Sequence, residues 1–257
     1  MKEVGASVRG WVLVFYHEDF DVNLDLPRRD GVENDVENLR RVFRDRGFLV
    51  KAYKDLKFEI IKRVLNETAR SQDLKDHDCL IVCLLSHGQD GGHLFANNVR
   101  FDEEELWRPF YEINAKLSLI NQSYSSFRGE VLDEGVKTMV RIAGHSRGDT
   151  HDGHQRHEEE YHLPTHGNIL IAHATYEGHV AWKSSHLGSY FIYTLCEVFE
   201  KHSGTLDLIK ILTIVAQIIA FEFKSSNTDA VWDNKKQMPT IRSTLTRELY
   251  LTPKAKH

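Results

Sequence analysis

The chain has 257 residues, which suits one large α/β domain or two small ones and is enough for a full hydrophobic core. Its formal net charge is −5, so no strong positive field is expected to attract nucleic acid or an anionic membrane. No apolar run approaches the ~18 residues of a membrane span. The three cysteines fit reduced, buried thiols better than a disulfide framework. These features predict a cytoplasmic globular protein, and no cofactor is expected.

Apolar patterning in the first half alternates between strands and helices. Strands are predicted at 12–15, 49–53, 79–85 and 117–120, and helices at 35–46, 58–69 and 103–113. The run Cys79–Leu85 is apolar without alternation, which is typical of a central parallel strand covered on both faces. Strands and helices in this order predict a mainly parallel α/β sheet.

The second half begins with a polar segment rich in Gly, Asp, Glu and His. A strand is predicted next at 168–172, then helices at 187–202 and 205–224, and a last strand within 238–251. We therefore divide the chain into a larger part at 1–130, a mobile linker at 131–167 and a smaller part at 168–257 that completes the same sheet.

Ser86, His87 and Gly88 directly follow the predicted central strand. In an open α/β sheet, ligand sites gather at the carboxyl ends of the strands. A histidine there can act as a general acid or base, and the glycine after it lets a backbone N–H approach a developing oxyanion. The pattern alone is weak, because a single histidine at a strand end is more often structural.

Several other segments resemble the caspase family, in the order in which that family has them. They are Arg29-Asp-Gly31, Asp35-Val-Glu-Asn-Leu39, Leu84-Leu-Ser-His-Gly88, Trp182-Lys-Ser-Ser185, Gly188-Ser-Tyr-Phe-Ile192, Lys235-Lys-Gln-Met-Pro239 and Leu245-Thr-Arg-Glu-Leu-Tyr250. The resemblance implies the caspase–hemoglobinase fold, an α/β fold whose mainly parallel central sheet is flanked by helices. The large-subunit and small-subunit regions would lie in one chain. The short stretch before the first strand resembles executioner caspases, which have no recruitment domain.

Caspase chemistry uses a thiolate that is assisted by the histidine. The family signature places that cysteine in Gln-Ala-Cys-x-Gly, roughly 50 residues after the histidine. Counting from Lys116 puts Ser123 at the nucleophile position, whereas aligning on Arg128-Gly129 puts Phe127 there, and no register supplies a cysteine. The residues around Ser123 also differ from the signature, so we expect neither a simple Cys-to-Ser change nor a working serine. His87 and Gly88 would then be remnants of a lost site.

The resemblance implies that the sequence retains part of the family's substrate pocket. Arg29 corresponds to an arginine that holds a substrate aspartate, and its forked guanidinium suits a carboxylate. The second pocket arginine corresponds to Lys183, which has no such fork. Trp182 and Trp232 correspond to aromatic positions of the pocket, although core packing is the alternative for both. With Asn121, these residues imply a weakened or absent peptide site.

Two patterns in the linker have a functional interpretation. Asp149-Thr-His-Asp152 matches the Asp-x-x-Asp preference of executioner caspases, so cleavage after Asp152 is expected, with chance in an Asp-rich segment as the alternative. His151, His154 and His157, with His145, His162 and His166 nearby, could bind zinc or nickel. Their spacing of three residues in a flexible segment favours a solvated linker instead, and no metal site is expected.

The last predicted strand is expected to form the contact with a partner chain. Caspase dimers join edge to edge through this strand, which here corresponds to Ile241, Arg242 and Ser243. Arg242 stands where an apolar residue is usual, so like charges could disfavour a homodimer and permit a heterodimer with an acidic or neutral partner. The alternative is that Arg242 extends into solvent.

The function implied by this resemblance is that of an insect-type decoy caspase. Such a chain pairs with a catalytic caspase, or with a second copy of itself, and modulates apoptosis in either direction. Two alternatives stay open: a weak Asp-directed protease that uses Ser123 or a displaced group, and a binding module in which Arg29 and His87 hold an Asp-containing segment without cutting it.

Overall fold

A computed structural model describes residues 8–89, 91–111, 117–121, 136–142, 157–164, 166–184 and 186–252. The strands are β1 (Gly10–Tyr16), β2 (Phe48–Lys54), β3 (Cys79–Leu85), β4 (Gly88–Gln89), β5 (His93–Phe95), β6 (Arg100–Asp102), β7 (Leu117–Asn121), β8 (Val136–Ile142), β9 (His157–Leu163), β10 (Ile169–His173), β11 (Lys183–Ser184), β12 (Gly188–Ser189) and β13 (Thr240–Ser243). The α-helices are α1 (Val32–Arg44), α2 (Phe58–Arg70), α3 (Tyr190–His202) and α4 (Leu208–Glu222).

One sheet contains six of these strands, in the order β13-β10-β7-β3-β1-β2. All neighbours in it are parallel except β13, which runs antiparallel to β10. This arrangement confirms the prediction of a mainly parallel α/β sheet. It also confirms that the strand after the polar segment completes the same sheet, because β10 lies between β7 and β13.

Strand β3 lies in the middle of the sheet, and every one of its residues is buried. Its alternate side chains point into two separate cores, with Ile81 and Cys83 in one and Leu80 and Val82 in the other. Residues of α1, α3 and α4 form the first core with the sheet, whereas α2 and the segment around Trp107 form the second. Burial on both sides is the reason that this strand shows no polar alternation.

Two predicted helices differ in the structure. Helix α1 begins at Val32 rather than at residue 35, directly after Gly31, whose φ of 82° ends the preceding loop. The prediction of a helix over 103–113 is wrong for the residues described, since two short 3₁₀ helices, Glu103–Leu106 and Arg108–Phe110, stand there instead. Pro109 lacks the N–H that a continuous α-helix needs at this point.

The segment predicted as a linker contains local structure. Strands β8 and β9 pair antiparallel, from Val136 opposite Leu163 to Ile142 opposite His157. The boundaries 1–130, 131–167 and 168–257 stay predictions. Among the described residues, no helix is both long and apolar enough to cross a membrane.

Candidate active-site cleft

A cleft of about 430 Å³ opens at the carboxyl ends of the central strands. Five of the residues predicted from the sequence line it: Arg29, His87, Gly88, Trp182 and Lys183. They come from segments on both sides of the polar linker, so the fold brings the two predicted parts together at one site. The position matches the expectation for an open α/β sheet.

His87 is held at the end of β3 by contacts on two sides. Its Nε2 lies 2.9 Å from the carbonyl oxygen of Pro27, and its ring centroid lies 5.0 Å from that of Phe20. Because a carbonyl oxygen only accepts, Nε2 is the donor, and in the neutral ring Nδ1 is the nitrogen that can take a proton. Burial lowers the pKa of His87, the hydrogen bond to Pro27 opposes this, and the positive charges of Arg29 and Lys183 lower the pKa further.

Arg29 is buried at the floor of the cleft, with 4% of its surface exposed. Its Nη1 donates to the carbonyl oxygens of Leu85 at 2.6 Å and of His17 at 3.2 Å. The guanidinium is thereby fixed to the ends of β3 and β1. Burial lowers its pKa to about 10, partly offset by the negative charge of Asp35.

Lys183 stands on the opposite wall of the cleft, in the short strand pair β11–β12. This side chain is exposed, and its Nζ donates to the carbonyl oxygen of Asp30 at 3.2 Å. Partial burial lowers the pKa of Lys183, and the charge of Arg29 adds to the effect. The cleft therefore holds two cations that repel each other, one buried and fixed and the other at the surface.

A buried carboxylate that the sequence analysis did not assign to the site joins the two walls. Asp35, in the first turn of α1, is 1% exposed, and its Oδ1 accepts from the backbone N–H of Ser189 at 2.8 Å. Gly188, with φ at +80°, passes so close that an added Cβ would lie 2.2 Å from the same oxygen. Burial raises the pKa of Asp35 to about 7, and its hydrogen bonds to Ser189 and the charge of Arg29 oppose that rise.

The two tryptophans form one aromatic contact beside the cleft. The ring centroids of Trp182 and Trp232 lie 6.1 Å apart in a T-shaped arrangement, and Trp232 is 45% exposed. The backbone N–H of Trp182 donates to Oε1 of Gln237 at 2.8 Å, and Nε2 of Gln237 donates to the carbonyl oxygen of Ala174 at 2.7 Å. This buried glutamine, within the matched segment Lys235-Lys-Gln-Met-Pro239, is a further site residue that sequence reasoning missed.

The segment expected to carry the nucleophile follows β7. Asn121 is the last residue of that strand, in register with Leu84 of β3 and His173 of β10. It therefore lies at the same end of the sheet as His87. Ser123, Phe127 and Asp152 lie outside the described residues. Among the residues described, no group of His, Cys, Asp and Glu is arranged to hold a metal ion.

All three cysteines of the chain are free and buried in the core. Cys79 and Cys83 lie in β3, and Cys196 lies in α3. Burial raises the pKa of the Cys83 thiol well above its usual value and that of Cys196 to about 12. None of the three is among the residues that line the cleft.

The model of the caspase domain matches residues 9–250 of this chain. The chain belongs to the caspase family. Caspase drICE from Drosophila melanogaster is 35% identical over 251 residues, which cover 96% of this chain and 70% of that protein. Caspase-1 from Spodoptera frugiperda is 33% identical over 255 residues, which cover 97% of this chain and 80% of that protein. The crystal structure of Caspase-1 from Spodoptera frugiperda matches with a TM-score of 0.77 at 29% identity, covering 98% of this chain and 92% of that one.

These comparisons confirm the resemblance to caspases and the fold that it implied. The caspase domain of this chain places Ile241, Arg242 and Ser243 in β13, at the edge of its sheet. None of the three lines the cleft. They belong to a separate surface of the domain.

Proposed function

We propose that this chain is a catalytically inactive caspase homologue that regulates an active caspase by pairing with it, in the control of apoptosis. The observation that carries the proposal is the position of its three cysteines, each inside the hydrophobic core. A buried thiol with a raised pKa is a poor source of the thiolate that caspase chemistry needs.

The expected loss of activity is large. Removing the nucleophile of a covalent protease costs about 10⁶ in rate, which corresponds to about 8 kcal/mol of activation free energy. His87 and Arg29 keep positions suited to assisting and orienting a substrate, but neither forms the acyl-enzyme bond. Among the described residues, the cleft therefore has parts of a catalytic site but no cysteine that could attack a peptide carbonyl.

Inactivity is tested by an assay of the purified chain with fluorogenic peptides that carry Asp before the scissile bond. We expect no turnover above a buffer blank. The matched control is Ser123→Ala, because a working serine would make the two proteins differ. Turnover by the unaltered chain that disappears in Ser123→Ala would replace this proposal with that of a serine-dependent protease.

Regulation is tested by adding the chain to active caspases from the same organism and measuring their peptide cleavage. We expect a complex in size-exclusion chromatography and a change in cleavage rate that saturates with the amount of chain added. An increase would mean that the chain stabilises the competent state of its partner. A decrease would mean that it captures partners in inactive pairs. No complex and no change of rate would contradict the proposal.

The cleft also favours a second candidate function, the binding of Asp-containing segments without cleavage. Its support is the presence of Arg29 and Lys183 in one cavity, because two cations suit a carboxylate. A labelled peptide with Asp is expected to bind more tightly than the same peptide with Asn, and Arg29→Ala should abolish the difference. Equal binding of the two peptides to the unaltered chain would contradict this function.

A further inference from the structure

Asp35 lies behind the wall of the cleft that carries Lys183. Strands β11 and β12 pair antiparallel, with Lys183 opposite Ser189. The backbone N–H of Ser189 donates to Oδ1 of Asp35 at 2.8 Å, so one hydrogen bond connects the first turn of α1 to the strand that is paired with Lys183. Gly188 packs so closely that an added Cβ would lie 2.2 Å from the same oxygen. The carboxyl group of Asp35 is therefore held at a fixed place beside this wall.

The carboxyl group of Asp35 interacts electrostatically with the cations of the cleft. Burial lowers the pKa values of Lys183 and Arg29, and the negative charge of Asp35 raises both. Because Asp35 is 1% exposed, water and salt screen its charge only weakly. Lys183 is the exposed cation of the two, and its Nζ donates to a neutral group, the carbonyl oxygen of Asp30. The charge state of Asp35 therefore changes the potential that an anion meets in the cleft.

Three charged or titratable side chains face Asp35 within the part of the chain that the structure describes. They are Arg29, which precedes α1, Lys183 in β11 and Cys196 in α3. Burial raises the pKa of Cys196 to about 12, so this thiol stays neutral between pH 6 and pH 8. Burial lowers the pKa of Arg29 only to about 10, so its positive charge persists. Asp35, whose pKa burial raises to about 7, changes its charge within this range.

We propose that Asp35 sets the affinity of the cleft for carboxylate-bearing segments, weakening their binding when it is ionised and permitting tight binding when it is protonated. The proposal rests on the second candidate function, the binding of Asp-containing segments, and it names the regulation of that site. An incoming carboxylate and ionised Asp35 carry like charges, and ionised Asp35 also offsets the attraction of Lys183. By linkage, binding of the segment and uptake of a proton by Asp35 favour each other.

The first test measures the dissociation constants of a labelled, amidated peptide that carries a single Asp and of the same peptide with Asn, at pH 6 and at pH 8. We expect the unaltered chain to bind the Asp peptide about fivefold more tightly at pH 6 than at pH 8. The Asn peptide has no charge that could couple to Asp35, so its affinity should differ little between the two pH values. An Asp peptide that binds equally at both, or more tightly at pH 8, would overturn the proposal.

The second test uses Asp35→Asn to assign the pH dependence to this residue. His87 and His179 also line the cleft, and histidines can gain a charge as the pH falls, but both are present in the variant. We expect Asp35→Asn to lose most of the pH dependence and to bind the Asp peptide at pH 8 about as tightly as the unaltered chain does at pH 6. The control is Asp45→Asn, which removes an exposed negative charge at the other end of α1 and should keep the pH dependence. An undiminished pH dependence in Asp35→Asn would overturn the proposal.

The same measurements separate this proposal from the function on which it rests. Equal binding of the Asp and Asn peptides by the unaltered chain at both pH values would overturn the binding function and the proposal together. A preference for the Asp peptide that is the same at pH 6 and pH 8 would support the binding function and overturn the control by Asp35 alone. Circular dichroism at both pH values checks that each protein is folded. Since the first test needs only the unaltered chain, it decides the matter even if Asp35→Asn does not fold.

Discussion

The two walls of the cleft are built in different ways. The wall formed by Arg29 and His87 is fixed to the ends of the central strands, since Arg29 donates to two carbonyl oxygens there and His87 to that of Pro27. The wall formed by β11 and β12 is attached to the segment Asp30–Asp35 by a few hydrogen bonds. Lys183 reaches the carbonyl of Asp30, Asn34 that of His186, and Asp35 the N–H of Ser189.

The two walls therefore place different requirements on their residues. Arg29 is part of the folded core of the domain, so its loss affects stability as well as any binding. Lys183 is at the surface, so the sequence can change there with little effect on the fold. The lysine at position 183, where the resemblance implies a second pocket arginine, is therefore compatible with the fold because the position is exposed.

The largest effect on stability is expected at Gly188, where the wall formed by β11 and β12 packs most closely against α1. In Gly188→Ala the added Cβ would lie 2.2 Å from Oδ1 of Asp35, at a residue whose φ is +80°. We expect a loss of about 3 kcal/mol in the free energy of unfolding, measured with urea, from steric conflict and backbone strain together. Gly204→Ala is the control, because nothing lies within 4 Å of its added Cβ. A fully stable Gly188→Ala protein would show that the second wall can shift away from α1.

Arg29→Ala is expected to have the next largest effect. It removes the donor that the carbonyl oxygens of His17 and Leu85 share, and it leaves buried Asp35 without a nearby buried cation. We expect a loss of about 2 kcal/mol in the free energy of unfolding. The exposed Lys183→Ala should change it by no more than about 0.5 kcal/mol. Equal losses in the two variants would mean that the walls do not differ as described.

The pH dependence of stability tests the carboxylate that joins the walls. The pKa of Asp35 is raised by burial from 3.8 to about 7, so between these values the folded protein keeps a proton that the unfolded chain has released. Stability must therefore fall as the pH rises through this window, by at most about 1.4 kcal/mol per pH unit. The cations that face Asp35, namely Arg29 and Lys183, reduce the fall.

Asp35→Asn cannot lose a proton, so the difference between its stability and that of the unaltered chain should follow this slope. Buried His17 and His173, whose pKa values are lowered to about 3, act in the opposite direction, since stability falls as the pH drops below about 6.5. They are present in both proteins and cancel in the difference. A difference that is constant from pH 4 to 8 would contradict the raised pKa of Asp35.

The smallest effect on stability is expected from cleavage in the predicted linker. An active executioner caspase should cut after Asp152, and mass spectrometry should find two fragments that meet at that residue. Asp152→Ala should resist the same treatment. The thermal midpoint of the cut protein should differ little from that of the intact one, because β7 and β10 stay paired in the sheet. An uncut linker would mean that Asp149-Thr-His-Asp152 arose by chance.

Local patterns in the sequence predicted most of the fold. The apolar run of β3 and the helical periodicity of α1 and α2 were sufficient to predict these elements. Burial on one or two faces of an element determines which of its residues are apolar, so the pattern is visible in the local sequence. The helix predicted over 103–113 failed because Pro109 interrupts it. Asp35 and Ser189 lie 154 positions apart, and no local pattern signals a hydrogen bond of that range. The strand-end pattern pointed to His87 but was weak alone, whereas Arg29 and Lys183 were found only because the family resemblance assigned them to the same site.

The burial of all three thiols also affects how the protein would behave toward chemical probes. Electrophilic reagents that modify the reactive sulfur of an active caspase would find no accessible thiol on this chain in its native state. In a mixture of this chain with an active caspase, such a label would mark the active caspase alone. On the isolated protein, the rate of thiol modification would measure how often the core opens, which makes the three cysteines reporters of unfolding.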